Sequence, residues 1–176
     1  MRRILVTGAN KGIGLAIAKA ILHERADTFV LLGSRDAARG RAAVDDITSE
    51  RPELRERLTL LELDVSQDAS VARAAPSVAE RFGADDVLFG VVNNAGVGDR
   101  GRTLAEVLDV NVRGVHRVCE AFLSQIDPAR GRIVNVTSAS GPSFVATCGP
   151  EMKRFFVDPN TDWSALEGLM TECVAI

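Results

Sequence analysis

The chain has 176 residues, enough for one domain that buries a substantial core. With 46% apolar and 26% charged residues it has the composition of an ordinary globular domain, which excludes disordered, collagen-like and disulfide-scaffold readings. The 24 acidic and 21 basic residues leave a net charge of −3, so there is no electrostatic case for a nucleic-acid partner.

Short β-branched or aliphatic runs alternate with helix-period segments along the chain. Strands are expected at Ile4–Thr7, Phe29–Leu32, Leu58–Leu63, Val87–Val92 and Arg132–Val136. A first helix starts at Gly12, with Ile13, Ile17 and Ile21 on one face and Ala16 and Ala20 beside them. A second runs over Asp36–Ser49 and a third over Ser66–Phe82, with Ser66 as N-cap. A long helix spans Thr103 to Ile126 and is stopped by Pro128. Beyond Gly141 the pairs Gly141-Pro142 and Gly149-Pro150 read as turns. Glu151–Val157 then gives a turn or two of helix, and Asp162 caps a last one. The strands are apolar on both sides, as in a parallel sheet covered on both faces. The expected class is α/β: a doubly wound parallel sheet (Rossmann fold) of about five strands, incomplete at its C-terminal side. Residues 1–148 form the dinucleotide-binding domain and 149–176 a helical insertion of it.

No apolar run approaches the roughly 20 residues of a membrane span. The run after Arg2 and Arg3 is too short for a secretory leader. Cys119, Cys148 and Cys173 lie far apart, without metal-like or redox-like spacing, which suits a reducing compartment. The expectation is a cytoplasmic protein with no metal centre and no membrane partner.

Gly8-Ala9-Asn10-Lys11-Gly12-Ile13-Gly14 joins the first strand to the first helix. Glycines at this place let the backbone approach a pyrophosphate, which the free N–H groups of the helix start then bind. The pattern is not a P-loop, because Lys11 precedes Gly12 rather than following the last glycine. The second strand ends Leu32-Gly33-Ser34-Arg35, with no carboxylate to bind a ribose 2′-hydroxyl. Arg35 offers a planar fork to a 2′-phosphate and Lys11 adds a second charge, which favours NADP(H) over NAD(H).

Thr7-Gly8-x-x-x-Gly12-x-Gly14, Asn93-Asn94-Ala95-Gly96 and Val136-Thr137-Ser138 resemble the motifs of the short-chain dehydrogenase/reductase family, each at a strand's carboxyl end. Ser34-Arg35-Asp36 with Arg39-Gly40, and the helical stretch after Gly149, resemble its NADPH-dependent carbonyl reductase branch. The resemblance implies hydride transfer from NADPH to a ketone, aldehyde or quinone. It implies that Gly8, Asn10, Lys11, Gly12, Ile13 and Gly14 line the phosphates, and that Arg35 with Arg39 holds the 2′-phosphate. Asp64 and Val65 would flank the adenine and Asn94 the adenosine ribose. Ser138 would be the catalytic serine and Asn111 the asparagine that holds a water in the proton relay. Read by itself, Asn111 is a buried amide on an apolar stripe, either a relay residue or one satisfied by backbone. The branch further implies a monomer for the complete protein.

One departure stands against this. The family protonates the developing alkoxide with a tyrosine activated by a lysine four residues later, and this sequence contains no tyrosine. Lys153 has Gly149 four residues before it, so the Tyr-x-x-x-Lys helix is absent. His23, His116 and Cys148 are not substitutes. The expectation is the N-terminal part of a longer reductase, or a non-catalytic NADP(H)-binding module or truncated product. Its fifth strand would be an apolar edge through which the chain self-associates.

Overall fold

The computed structural model describes residues 1–83 and 88–175. Five parallel strands form one sheet: β1 (Arg2–Val6), β2 (Thr28–Ser34), β3 (Leu58–Glu62), β4 (Leu88–Asn93) and β5 (Arg132–Asn135), in the order β3-β2-β1-β4-β5. The expected start of the fourth strand, Val87, lies outside the described residues. Sequence order reverses between β1 and β4, so the loops leaving these strands part at their carboxyl ends and open a crevice there.

Helices α1 (Gly12–Glu24), α2 (Ala37–Glu50) and α3 (Asp68–Phe82) make the first crossovers. The apolar side chains alternate faces along each strand and build a core on both sides of the sheet. Val6, Val30, Leu32 and Val92 pack with Ala18, Leu22, Ala43 and Ile47 of α1 and α2. Leu5, Leu31, Leu88 and Val91 pack on the opposite face with Val71, Ala74 and Val78 of α3 and with Val118 and Phe122. The face of α1 differs from the expected one: Gly14, Ala18 and Leu22 are buried, Ile17 and Ile21 flank them, and Ile13 is 67% exposed. The periodicity of the isoleucines was offset because small residues take the closest approach to the sheet.

The long helix expected over Thr103–Ile126 is interrupted. It comprises α4 (Leu104–Leu108), one π-helical turn (Asp109–Arg113), α5 (Gly114–Phe122) and a short 3-10 turn over Leu123–Gln125. Thr103 caps α4, accepting the Glu106 N–H while the Glu106 carboxylate accepts the Thr103 N–H. Ser66 is not a helix cap, since α3 starts two residues later and the Ser66 hydroxyl donates to Asp64 Oδ1 at 2.7 Å.

Residues 140–175 form three helices, α6 (Ser140–Thr147), α7 (Pro150–Val157) and α8 (Trp163–Ala175). Gly141-Pro142 is therefore a helix start rather than a turn, because proline fits a first helical turn where no N–H partner exists. Asp162 caps α8, accepting the Ala165 N–H at 2.8 Å. Helix α8 rests on α5: Trp163 stacks on His116 with ring centroids 3.7 Å apart, and Arg113 pairs with Glu167 at 2.8 Å. His116 thus lies half-buried under α8. Among the described residues, no helix is long and apolar enough to cross a membrane, and no group of three or more His, Cys, Asp or Glu could hold a metal ion.

Candidate nucleotide cleft

The crevice at the strand ends is organised by one buried threonine. Thr7, at the end of β1, accepts the backbone N–H groups of Asn94 and Ala95 on its hydroxyl, each at 3.0 Å. Asn94 answers by donating its side-chain amide to the Thr7 and Gly8 carbonyls at 3.0 and 3.3 Å. The loops after β1 and β4 are therefore locked together from both sides. A Cβ on Gly14 would lie 2.4 Å from Asn94 Nδ2 and 2.6 Å from the Gly8 oxygen, so this helix start can approach the loops only as glycine. At Gly12 a Cβ would meet open space, and glycine is required there by its φ of +56°.

Helix α1 begins with no side-chain cap. Its first N–H groups have no partner within the helix, and the residues that carry them, Gly12, Ile13 and Gly14, line a cavity of about 470 Å³. Gly8, Asn10, Lys11, Gly12, Ile13 and Gly14 line that cavity along one wall. Arg35, Asp64 and Val65 line it beyond β2 and β3, and Asn94 lines it beyond β4. The exposure of Ile13 is now explained, since its side chain belongs to the cavity rather than to the core.

Arg39 does not line the cavity. It is largely exposed and pairs with Asp36 at 3.3 Å, while Asp36 caps α2 by accepting the Arg39 N–H. That backbone hydrogen bond holds the Asp36 carboxyl below its ordinary value. Arg35 and Lys11 make no ion pair or side-chain hydrogen bond with any described residue, so both charges are available to a ligand. Asp64 Oδ1 accepts the Ser66 N–H and hydroxyl, which fixes the turn after β3.

Asn111 is exposed rather than buried, because the π turn swings it off the apolar stripe. Its amide pairs with Val97 at both ends, accepting the Val97 N–H at 2.8 Å and donating to its carbonyl at 2.9 Å. It does not itself line the cavity, but Val97 does. Ser138 follows β5 and does not line the cavity. Its exposed hydroxyl donates to Ser140 Oγ at 3.1 Å. Cys148 donates its thiol to the Phe144 carbonyl. Burial pushes the Cys119 thiol up from its ordinary value, away from thiolate chemistry.

The cavity also takes in Leu63, Ala95, Gly96, Gly98, Arg102 and Val110. Gly96 to Gly98 could have been found by continuing the Asn-Asn-Ala-Gly loop. Arg102 and Val110 carry no sequence signal, since their place depends on where α4 starts and where the π turn falls.

The short chain dehydrogenase family profile matches residues 2–148. Carbonyl reductase [NADPH] 1 of Sus scrofa is 34% identical over 98% of this chain and 59% of its own length. The Homo sapiens protein of the same name is 35% identical over 97% and 61%. The chain thus spans about 60% of the length of these curated relatives. Among solved structures, menthone neomenthol reductase from Mentha piperita superposes with a TM-score of 0.85 at 26% identity, covering 99% of this chain and 73% of that one. An NADPH-bound carbonyl reductase from chicken fatty liver gives a TM-score of 0.64 at 28% identity, over 80% and 61%.

Proposed function

The chain belongs to the short-chain dehydrogenase family, and from that premise we propose that its cleft binds NADPH and that it is the cofactor-binding part of a carbonyl reductase. The cleft fits such a cofactor on its own terms. Two cations that pair with no described residue, Arg35 and Lys11, line it beside an uncapped helix N-terminus. The single observation that carries the reading is the chemistry at the end of β2, where Ser34-Arg35 stands in place of a carboxylate. An arginine there serves a 2′-phosphate, whereas a carboxylate would repel one.

Bound in the cleft, NADPH would supply the hydride that reduces a ketone, aldehyde or quinone. Lys11 and the N–H groups of Gly12, Ile13 and Gly14 hold the pyrophosphate, and Arg35 holds the 2′-phosphate. Asp64 and Val65 border the adenine, and Asn94 borders the adenosine ribose while keeping the glycine loop in place. The family resemblance gives Ser138, which follows β5 outside the cavity, the role of hydrogen-bonding the substrate's carbonyl oxygen. Asn111 fixes the Val97 backbone that lines the cleft. A second reading, binding without turnover, is favoured by the lack of any tyrosine to donate the proton.

Calorimetric titration of these 176 residues with NADPH and NADH tests the assignment. NADPH is expected to bind at least tenfold more tightly, and Arg35→Gln should bring the two affinities together. Equal affinities in the unaltered chain would refute the 2′-phosphate assignment. Addition of menadione or an aldehyde to the NADPH complex should produce no measurable loss of absorbance at the reduced nicotinamide band. Turnover would eliminate the binding-only reading.

A further inference from the structure

The π turn at Asp109–Arg113 touches the cleft twice. Val110 lines it directly, and Asn111 pins the Val97 backbone that lines it. Such turns widen a helix by one residue and recur at functional sites. This one is anchored by Arg117, whose mostly buried side chain points back along α5. Its Nη2 donates to Asp109 Oδ1 at 2.8 Å, and its Nη1 to the backbone carbonyls of Asp109 and Val65, both at 3.3 Å. Its Nε donates to Asp68 at the start of α3. Val65 is itself part of the cleft wall, and the approach is close: a Cβ on Gly114 would sit 2.9 Å from Val65 Cγ2.

One guanidinium therefore joins the loop after β3 to the π turn, two separate walls of the same cleft. We propose that Arg117 is a positioning residue for nucleotide binding, holding Val65 and the π turn at the spacing that takes the adenosine half of the cofactor. The inference rests on the nucleotide reading of the cleft. Without Arg117, the Val65 and Asp109 carbonyls and the Asp109 carboxylate lose their shared donor. The two walls are then free to separate.

The test is the affinity of the full chain for NADPH and for adenosine 2′,5′-bisphosphate, alongside its melting temperature. Arg117→Met should weaken both ligands about equally, by tenfold or more, because the whole loss lies in the adenosine half. Arg117→Lys should recover part of it by restoring a donor. Asp68→Asn should stay within twofold, since Asp68 is 85% exposed and the other three acceptors remain. A folded Arg117→Met chain with unaltered affinity, whatever its melting temperature, overturns the proposal, as does a loss confined to NADPH. If Arg117→Met does not fold, Asp109→Asn substitutes: a several-fold loss for both ligands supports the proposal, and unaltered affinity overturns it. An unaltered chain that binds neither ligand overturns the nucleotide reading itself, which separates the two failures.

Discussion

Strands β2 and β5 belong to the same parallel sheet, yet all seven residues of β2 are buried and all four of β5 are exposed. Their sequences do not announce the difference: Phe-Val-Leu-Leu and Arg-Ile-Val-Asn are both β-branched or aliphatic at their centres. What separates them is place. β2 lies between β1 and β3, with α1 and α2 on one face and α3 behind the other. Among the described residues β5 pairs with β4 alone, and its Ile133 and Val134, on opposite faces, are 39% and 50% exposed. Composition fixes that a segment becomes a strand; the number of layers around it fixes what that strand contributes to stability. The cleft lies over the buried side of this divide, at the ends of β1 to β4.

The divide can be broken directly by truncation. Leu31→Ala, in the middle of β2, should cost about 2–5 kcal/mol, because a 1% exposed side chain leaves a cavity that the two layers cannot collapse. Val134→Ala in β5 should change stability by no more than about 0.5 kcal/mol, as a surface substitution does. Urea midpoints compare the two, and similar losses would mean that β5 is covered in solution. Thr103→Ala sits between these extremes. It removes the hydroxyl that accepts the Glu106 N–H, and should cost about 1 kcal/mol. A loss near zero would mean that α4 frays already and that the π turn, not the cap, sets the helix start.

The same divide explains what the sequence made legible. The glycine loop and Arg35 were readable because each follows a strand end, Asp64, Val65 and Asn94 were implied by the family motifs, and all of them line one crevice because parallel strands deliver their ends to it. Ser138 follows a strand end too, but β5 is the edge, and its loop falls outside the cavity. Asn111 was expected to be buried on an apolar stripe and is instead exposed, because a π turn shifts the helical period by one residue, which no apolar stripe reveals. Arg39, which the carbonyl reductase resemblance placed with Arg35 on the 2′-phosphate, lies outside the cavity and pairs with Asp36. Arg117 carried no signal, since its four acceptors come from three separate segments. Hydrogen bonds between neighbours in sequence, such as the Thr103–Glu106 box, are predictable from spacing; those that close the cleft depend on the finished fold.

The smallest effect expected is one of pH. The Thr103 backbone N–H, followed by its hydroxyl, holds the Glu106 carboxyl below its ordinary value. A carboxylate depressed on folding contributes stability that is fully present above its unfolded pKa, and that contribution is lost as pH falls through the folded value. The cap at Thr103 should therefore weaken only below the ordinary glutamate range, roughly pH 4. Melting temperatures between about pH 5 and pH 3 should fall slightly less steeply in Glu106→Gln than in the unaltered chain, because the amide keeps an acceptor but does not titrate. Asp36 is depressed in the same sense by the Arg39 N–H, and it caps the helix that follows Arg35. Asp36→Asn should flatten the acid slope likewise, and in addition should flatten the pH dependence of NADPH affinity over the same interval. If Glu106→Gln alters nucleotide affinity as much as Asp36→Asn does, the two caps are not separable, and the cleft is coupled to α4 as closely as to α2.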